Sequence, residues 1–155
     1  MLTSVPFCPP TPHLVSLTDA FAVGLGASFD NWTLHGLWLE RESLCHINIF
    51  EMRTVEIMLL QKRFKLARRV VRLLSDNISV VFYMNKKGGA RSCRLTTVAE
   101  RVLRLAESLE IVLQEAHIRG EQNVLADNLS RQRTVLKAEW RLSRPTYLWV
   151  SWMSP

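Results

Sequence analysis

Val70-Val71-Arg72-Leu73-Leu74, followed by Ser75-Asp76-Asn77, decides how this chain is read. Apolar, β-branched residues crowded into five positions are the pattern of a strand buried on both faces, as in a parallel sheet covered by helices. Ser75-Asp76-Asn77 ends that strand and supplies a polar cap for a helix over Ile78 to Asn85. Upstream, Ile49 to Ala67 contains neither proline nor glycine and is rich in Met, Leu, Glu, Lys and Arg, which predicts one long helix. Downstream, Leu95, Val98, Val102, Leu105 and Leu109 recur at three- and four-residue intervals and mark the apolar stripe of another. Ile111 to Ala116 reads as a strand. Asn123 to Arg131 reads as a short final helix with Val124, Leu125 and Leu129 inward.

Ahead of this core, Leu14 to Thr18, Val23 to Phe29 and Trp32 to Leu39 read as close-set strands, punctuated by Asp19, Gly24, Gly26 and Asp30-Asn31. Such spacing predicts an antiparallel meander. Three strands, a helix, a strand, two helices, a strand and a helix make an α/β layout with a mixed sheet. Residues 1–13, with prolines at Pro6, Pro9, Pro10 and Pro12, read as a linker or the remnant of an upstream polyprotein. Residues 14–131 form the domain, and 132–155 a basic, Trp-containing tail without clear period.

A length of 155 residues suits one domain, and 48% apolar with 22% charged residues excludes disordered, collagenous and disulfide-dense classes. The longest nearly unbroken apolar run, Ile78 to Met84, is interrupted at Ser79 and falls well short of the roughly 20 residues of a membrane-spanning helix. No basic and apolar leader opens the chain. Cys8, Cys45 and Cys93 are odd in number and lack metal-ligand spacing, so a reduced cytoplasmic or nuclear protein, not a secreted one, is expected. Twenty Lys+Arg against fourteen Asp+Glu give a net charge of +6 and favour a polyanionic partner. The basic residues cluster at Lys62 to Arg72, at Lys86 to Arg94 and at Arg131 to Arg144. Any one cluster is readily a solvated face; three together point to a phosphate-binding surface.

Asp19 and Asp76 each end a strand. If those strands are parallel neighbours, both acids meet at the C-terminal edge of the sheet, where open α/β folds bind ligands. Glu51 opens the long helix, and Asp127 lies in the last one. Four converging carboxylates repel one another unless divalent cations neutralise them. Hard cations such as Mg2+ take oxygen ligands, and a pair about 4 Å apart clamps both sides of a phosphoryl displacement. Spacing alone does not make a site, because an acid at a strand end is more often a turn residue or cap.

The local words go further. Leu17-Thr18-Asp19-Ala20 with Gly24-Leu25-Gly26-Ala27, then Ile49-Phe50-Glu51-Met52-Arg53, then Ser75-Asp76-Asn77, precede His117-Ile118-Arg119-Gly120-Glu121-Gln122-Asn123-Val124-Leu125-Ala126-Asp127-Asn128-Leu129-Ser130-Arg131. In that order they resemble the ribonuclease H domain of retrotransposon reverse transcriptases. Tyr83 to Ser92 and Glu139-Trp140-Arg141-Leu142 look most like the DIRS-type, tyrosine-recombinase elements. The resemblance runs from about Leu14 to Leu142. It implies a ribonuclease H-like fold, a five-stranded mixed sheet with helices on both faces, that cuts the RNA strand of an RNA–DNA hybrid with two Mg2+ ions, Mn2+ substituting. By motif, Asp19, Glu51, Asp76 and Asp127 are the implied metal ligands, and His117 the implied proton carrier. Lys86, Lys87 and Arg91 stand where relatives grip the DNA strand. Asn77 either touches the hybrid or caps a helix. A polymerase domain is an implied partner, and a membrane is not. Phe21 and Leu25 depart from the family pattern, and Phe21 is expected beside the metal site.

Two other readings stay open. One is a degenerate, non-catalytic module that binds nucleic acid. The other is an integrase-like strand-transferase on the same fold, with Glu110 as its third acid. His13, His35 and His46 have no partners at ligand spacing and read as structural.

Overall fold

The structure, a computed structural model, describes residues 9–29, 32–39, 45–85 and 92–131. Five strands, β1 (Leu14–Ala20), β2 (Gly24–Phe29), β3 (Trp32–Leu37), β4 (Val70–Ser75) and β5 (Val112–His117), form one sheet in the order β3-β2-β1-β4-β5. The meander β1–β2–β3 is antiparallel, and β1, β4 and β5 run parallel. Helices α1 (Ile47–Gln61), α2 (Arg63–Leu66), α3 (Ile78–Asn85), α4 (Cys93–Ser108) and α5 (Val124–Arg131) complete the domain. No helix among the described residues is long and apolar enough to cross a membrane.

Strand alternation divides the helices between the two faces. Ser16 on β1 donates from Oγ to Sδ of Met58 on α1 at 3.1 Å, whereas Asp19, of opposite parity, meets Ser130 on α5. Helices α1, α3 and α4 pack together over the first face, and α5 lies on β1, β2 and β3 across the second. Helix α1 is buried all round from Phe50 to Leu60, the pattern of a helix in the middle of a core. Met52, Val55, Met58 and Leu59 share one core with Val71, Leu73, Val98 and Val102, and each such side chain contributes about 1.5–3 kcal/mol by leaving water. Glu56, buried on α1, is neutralised by Arg101 of α4 through two 3.0 Å contacts.

Sequence and structure part at four places. The single helix expected over Ile49 to Ala67 starts earlier, because the His46 ring accepts from the Asn48 N–H, and breaks at Lys62, where Lys-Arg-Phe-Lys leaves the core. Only one face of β4 is fully buried, since α5 lies over the meander and Arg72 is left to pair with Gln114 at 3.2 Å. In α5 the inward residues are Ala126, Leu129 and Ser130; Val124 and Leu125 are about half exposed. Strand β3 stops at Leu37, and Trp38 turns under the sheet end, where its indole donates to the Phe21 carbonyl at 2.8 Å. The N-terminal approach is tied down as well. The His13 ring accepts from the Val70 N–H at 2.9 Å, and Gln114 donates to the Pro10 carbonyl at 2.6 Å.

Gly24 and Gly26 set how close α5 comes. A Cβ on Gly26 would stand 2.3 Å from the Ala126 carbonyl oxygen and 2.7 Å from the Ser130 nitrogen. Bare backbone on β2 therefore lets α5 lie against the sheet. That approach carries Ser130 and Asp127 toward Asp19.

Candidate metal centre

Asp19 lies near the end of β1, Asp76 just past the end of β4, and Glu51 in the first turns of α1. Because β1 and β4 are parallel neighbours, their C-terminal ends share one edge, and α1 crosses beneath it. One carboxylate oxygen from each of the three acids lies within 4.8 Å of the others. Asp19 and Glu51 are buried, and Asp76 is half-buried.

The electrostatics are those of crowded like charges in a dry place. Burial pushes the Glu51 carboxyl up to about 9, the Asp19 and Asp76 charges push it the same way, and the Ala20 N–H pulls it back. Burial also raises Asp19; the hydroxyl of Ser130 opposes that shift, the charges of Asp76 and Asp127 add to it, and Arg131 opposes it. Oε2 of Glu51 is buried with no hydrogen-bond partner among the described residues. Three hard oxygen donors, mutual repulsion and an unsatisfied buried carboxylate oxygen fit a divalent cation such as Mg2+ or Mn2+.

Asp127 stands apart from this trio. It sits on α5 with its Oδ1 2.6 Å from Nε of Arg131, whose guanidinium lies 4.4 Å over the Phe21 ring. Phe21, expected beside the site, is there as the platform for Arg131. His117, at the end of β5, is exposed and places Nε2 3.1 Å from the Asp76 backbone carbonyl. Asn77 caps α3, accepting from the Ser79 and Val80 N–H groups, and donates to Asn48 at 3.0 Å. Lys86, Lys87 and Arg91 lie outside the described residues. Glu110, at φ 55°, precedes β5 at the opposite end of the sheet from Asp76, about 17 Å away by strand rise. An acid triad of Asp19, Asp76 and Glu110 is therefore not formed.

Two residues that orient the acids escaped the sequence reading. Asn123 is fully buried, and its amide donates to the Thr18 carbonyl at 3.0 Å and to Oδ1 of Asp76 at 3.2 Å. Ser130 donates to Oδ2 of Asp19 at 2.5 Å. Positions 123, 126, 127 and 130 fall on one helical stripe, so polar residues on an inward face were the available signal. Gly120 belongs here as well, since a Cβ would lie 3.3 Å from Oδ2 of Asp76.

No protein-family model matches the chain, and no curated protein matches it. Solved structures do. Ribonuclease H1 from the halophilic archaeon Halobacterium salinarum NRC-1 aligns with a TM-score of 0.62 at 13% identity, over 75% of this chain and 92% of that one. LC11 ribonuclease H1, isolated from compost by a metagenomic approach and solved in complex with RNA/DNA hybrid, aligns at 0.60 and 18% identity, over 75% and 92%. The foamy viral protease-reverse transcriptase in complex with RNA/DNA hybrid aligns at 0.53 and 14% identity, covering 83% of this chain and 22% of that one. At such identities the likeness is one of fold. This chain has the ribonuclease H-like fold, with three carboxylates gathered at the edge where β1 and β4 end side by side.

Proposed function

We propose that the chain is a ribonuclease H, a metal-dependent endonuclease that cuts the RNA strand of an RNA–DNA hybrid. The observation that carries this reading is the convergence of Asp19, Glu51 and Asp76, from three separate elements, to within 4.8 Å on a sheet of this fold. The hybrid complexes of two similar structures support the choice of substrate. The motif order from Asp19 to Arg131 supports a role in retroelement reverse transcription beside a polymerase domain, and the likeness of Tyr83 to Ser92 and Glu139 to Leu142 supports an element of DIRS type. Such work belongs in the cytoplasm or nucleus. Residues 14–131 would form the working domain, with 1–13 and 132–155 as its flanks.

Asp19, Glu51 and Asp76 would hold the cation, and Asp127, released from Arg131, would complete the set for a second. Held by these acids, Mg2+ or Mn2+ would supply Lewis acidity for water attack on the RNA phosphodiester, and cutting would leave 5′-phosphate ends. Ser130 and Asn123 fix the rotamers of Asp19 and Asp76, so the acids need no reordering when charge arrives. His117, exposed at the rim, would move a proton at Nε2, a role that typically contributes about 10²–10⁴-fold. Lys86, Lys87 and Arg91 would grip the DNA strand as phosphate contacts, because a hybrid is recognised by shape and by 2′-hydroxyls.

One observation favours a second reading. With Asp127 paired to Arg131, a chain that binds hybrid without cutting it is chemically coherent. Incubating labelled RNA–DNA hybrid, double-stranded DNA and single-stranded RNA side by side with Mg2+ separates the two. The nuclease cuts only the RNA of the hybrid; the binding module cuts nothing.

A further inference from the structure

At the pole of the sheet opposite the acids, the chain turns from α1 through α2 into β4. Phe64 points outward there with 86% of its surface exposed, the most exposed large apolar side chain among the described residues. Its neighbours along the turn are Arg63, Lys65, Arg68 and Arg69, all exposed and none ion-paired among the described residues. From Met58 to Ser75 the sequence contains no acid at all. Glu110, between α4 and β5 and next to Leu109, whose carbonyl accepts from the Arg68 N–H at 2.9 Å, borders the cluster.

The turn is held firmly. Leu66 is its buried anchor, and the Lys65 and Leu66 N–H groups both donate to the Lys62 carbonyl, at 2.9 and 3.0 Å. The Arg69 carbonyl accepts from Val112 at 3.0 Å. Arg68 adopts φ 59°, a left-handed conformation that L residues rarely take. Arg63 donates to the Leu60 carbonyl at 3.1 Å, which places its guanidinium 4.7 Å from the Phe64 centroid, over one face of the ring. At 86% exposure the other face stands in water. An outward aromatic on a firmly held, basic turn, with one ring face open, is a platform on which single-stranded nucleic acid can stack.

We propose that this turn is a second nucleic-acid contact, separate from the acid cluster, in which one base of a single strand stacks on Phe64 and the flanking phosphates pair with Arg63, Lys65, Arg68 and Arg69. A duplex conceals its base faces except at its ends, so a lone protruding ring selects the unpaired strand. Three of the four cations are arginine, whose planar fork matches phosphate oxygens. A membrane surface fits less well, because α2 is four residues long and offers one exposed apolar side chain, too little apolar face for interfacial anchoring. The length of β4, about 17 Å, separates the contact from Asp76, so a short hybrid at the acids leaves it open.

Fluorescence anisotropy with labelled oligo-dT of about 20 nucleotides, without metal, tests this. Phe64→Ala should weaken binding by about 5- to 100-fold, and Phe64→Trp should restore it. Reversing Lys65 and Arg69 to Glu should flatten the dependence of log affinity on log salt by at least about 1.4 units, 0.7 for each lost phosphate. Phe64 packs against no core, so the melting temperature of its variants should not move. Oligo-dT affinity unchanged in Phe64→Ala overturns the proposal. So does loss of binding to phosphatidylserine vesicles in the Glu variants while oligo-dT binding persists. An inactive acid cluster with intact Phe64-dependent binding would refute the ribonuclease reading and leave this contact standing.

Discussion

Arg131 reaches back one helical turn and donates from Nε to Oδ1 of Asp127 at 2.6 Å, while Phe21 supports its guanidinium from below at 4.4 Å. The fourth carboxylate is thus engaged by a cation of the chain itself. Both side chains are substantially exposed, at 54% and 38%, and exposed pairs of this spacing hold weakly, by about 0.3–0.5 kcal/mol. A divalent ion can displace such a partner.

Arg131→Gln should therefore tighten cation binding. The variant loses the internal competitor and also leaves the acid cluster more negative, and both effects act in the same direction. Mn2+ titrated calorimetrically into the two proteins should show an affinity gain of about twofold. Equal or weaker binding by the variant would mean that Asp127 takes no part in holding the ion.

Glu51 predicts a proton count. Burial and the neighbouring Asp19 and Asp76 charges push its carboxyl from the ordinary 4.5 up to about 9. At neutral pH the folded chain keeps a proton that the unfolded chain has given up. The stabilisation from that proton is complete below pH 4.5 and is lost as pH rises through about 9. A cation entering the site must expel the proton. Mg2+ binding at pH 7 should thus release close to one proton, read from calorimetry in buffers of different ionisation enthalpy, and should tighten as pH rises toward 9. Binding enthalpies independent of buffer would contradict it.

Much of this was legible in the residues, and what was not depends on contacts distant in sequence. The apolar run Val70 to Leu74 and the acid two residues beyond it place β4 and Asp76, because apolar patterning and strand geometry act locally. Gly24 and Gly26 look like turn punctuation, yet they lie inside β2, and their bareness serves α5 from a hundred residues downstream. For the same reason Val124 and Leu125 looked inward. The face of α5 that meets bare glycine backbone needs Ala126 and Ser130, not bulk. Asn123 and Ser130 were silent because a buried amide or hydroxyl shows its use only once its acid is in place.

Glu115 gives a stability prediction apart from the acid cluster. Its side chain lines a cavity of about 360 Å³ between α3, α4 and β5, and burial raises its carboxyl to about 7, with Oε1 unsatisfied among the described residues. A raised acid favours the fold fully below pH 4.5, and that advantage disappears as pH rises through 7. Glu115→Gln should leave the melting temperature unchanged near pH 4 and raise it at pH 8. The gain should be on the order of 1–3 kcal/mol, several degrees for a domain of this size. A variant less stable than the parent at pH 8 would show that Glu115 has an ionised partner there.

Asp76→Asn asks whether the acid cluster cuts RNA. The swap preserves shape and can keep the Asn123 contact at 3.2 Å, while it removes one charge from the cluster. Both proteins would be mixed with a hybrid labelled on its RNA strand, in Mg2+ and in excess chelator, and scored for binding and cutting together. The parent should cut the RNA only with Mg2+, and Asp76→Asn should bind the hybrid within about twofold yet leave it intact. Equal cutting by the two proteins, or cutting by the parent in chelator, would contradict the metal-dependent ribonuclease reading.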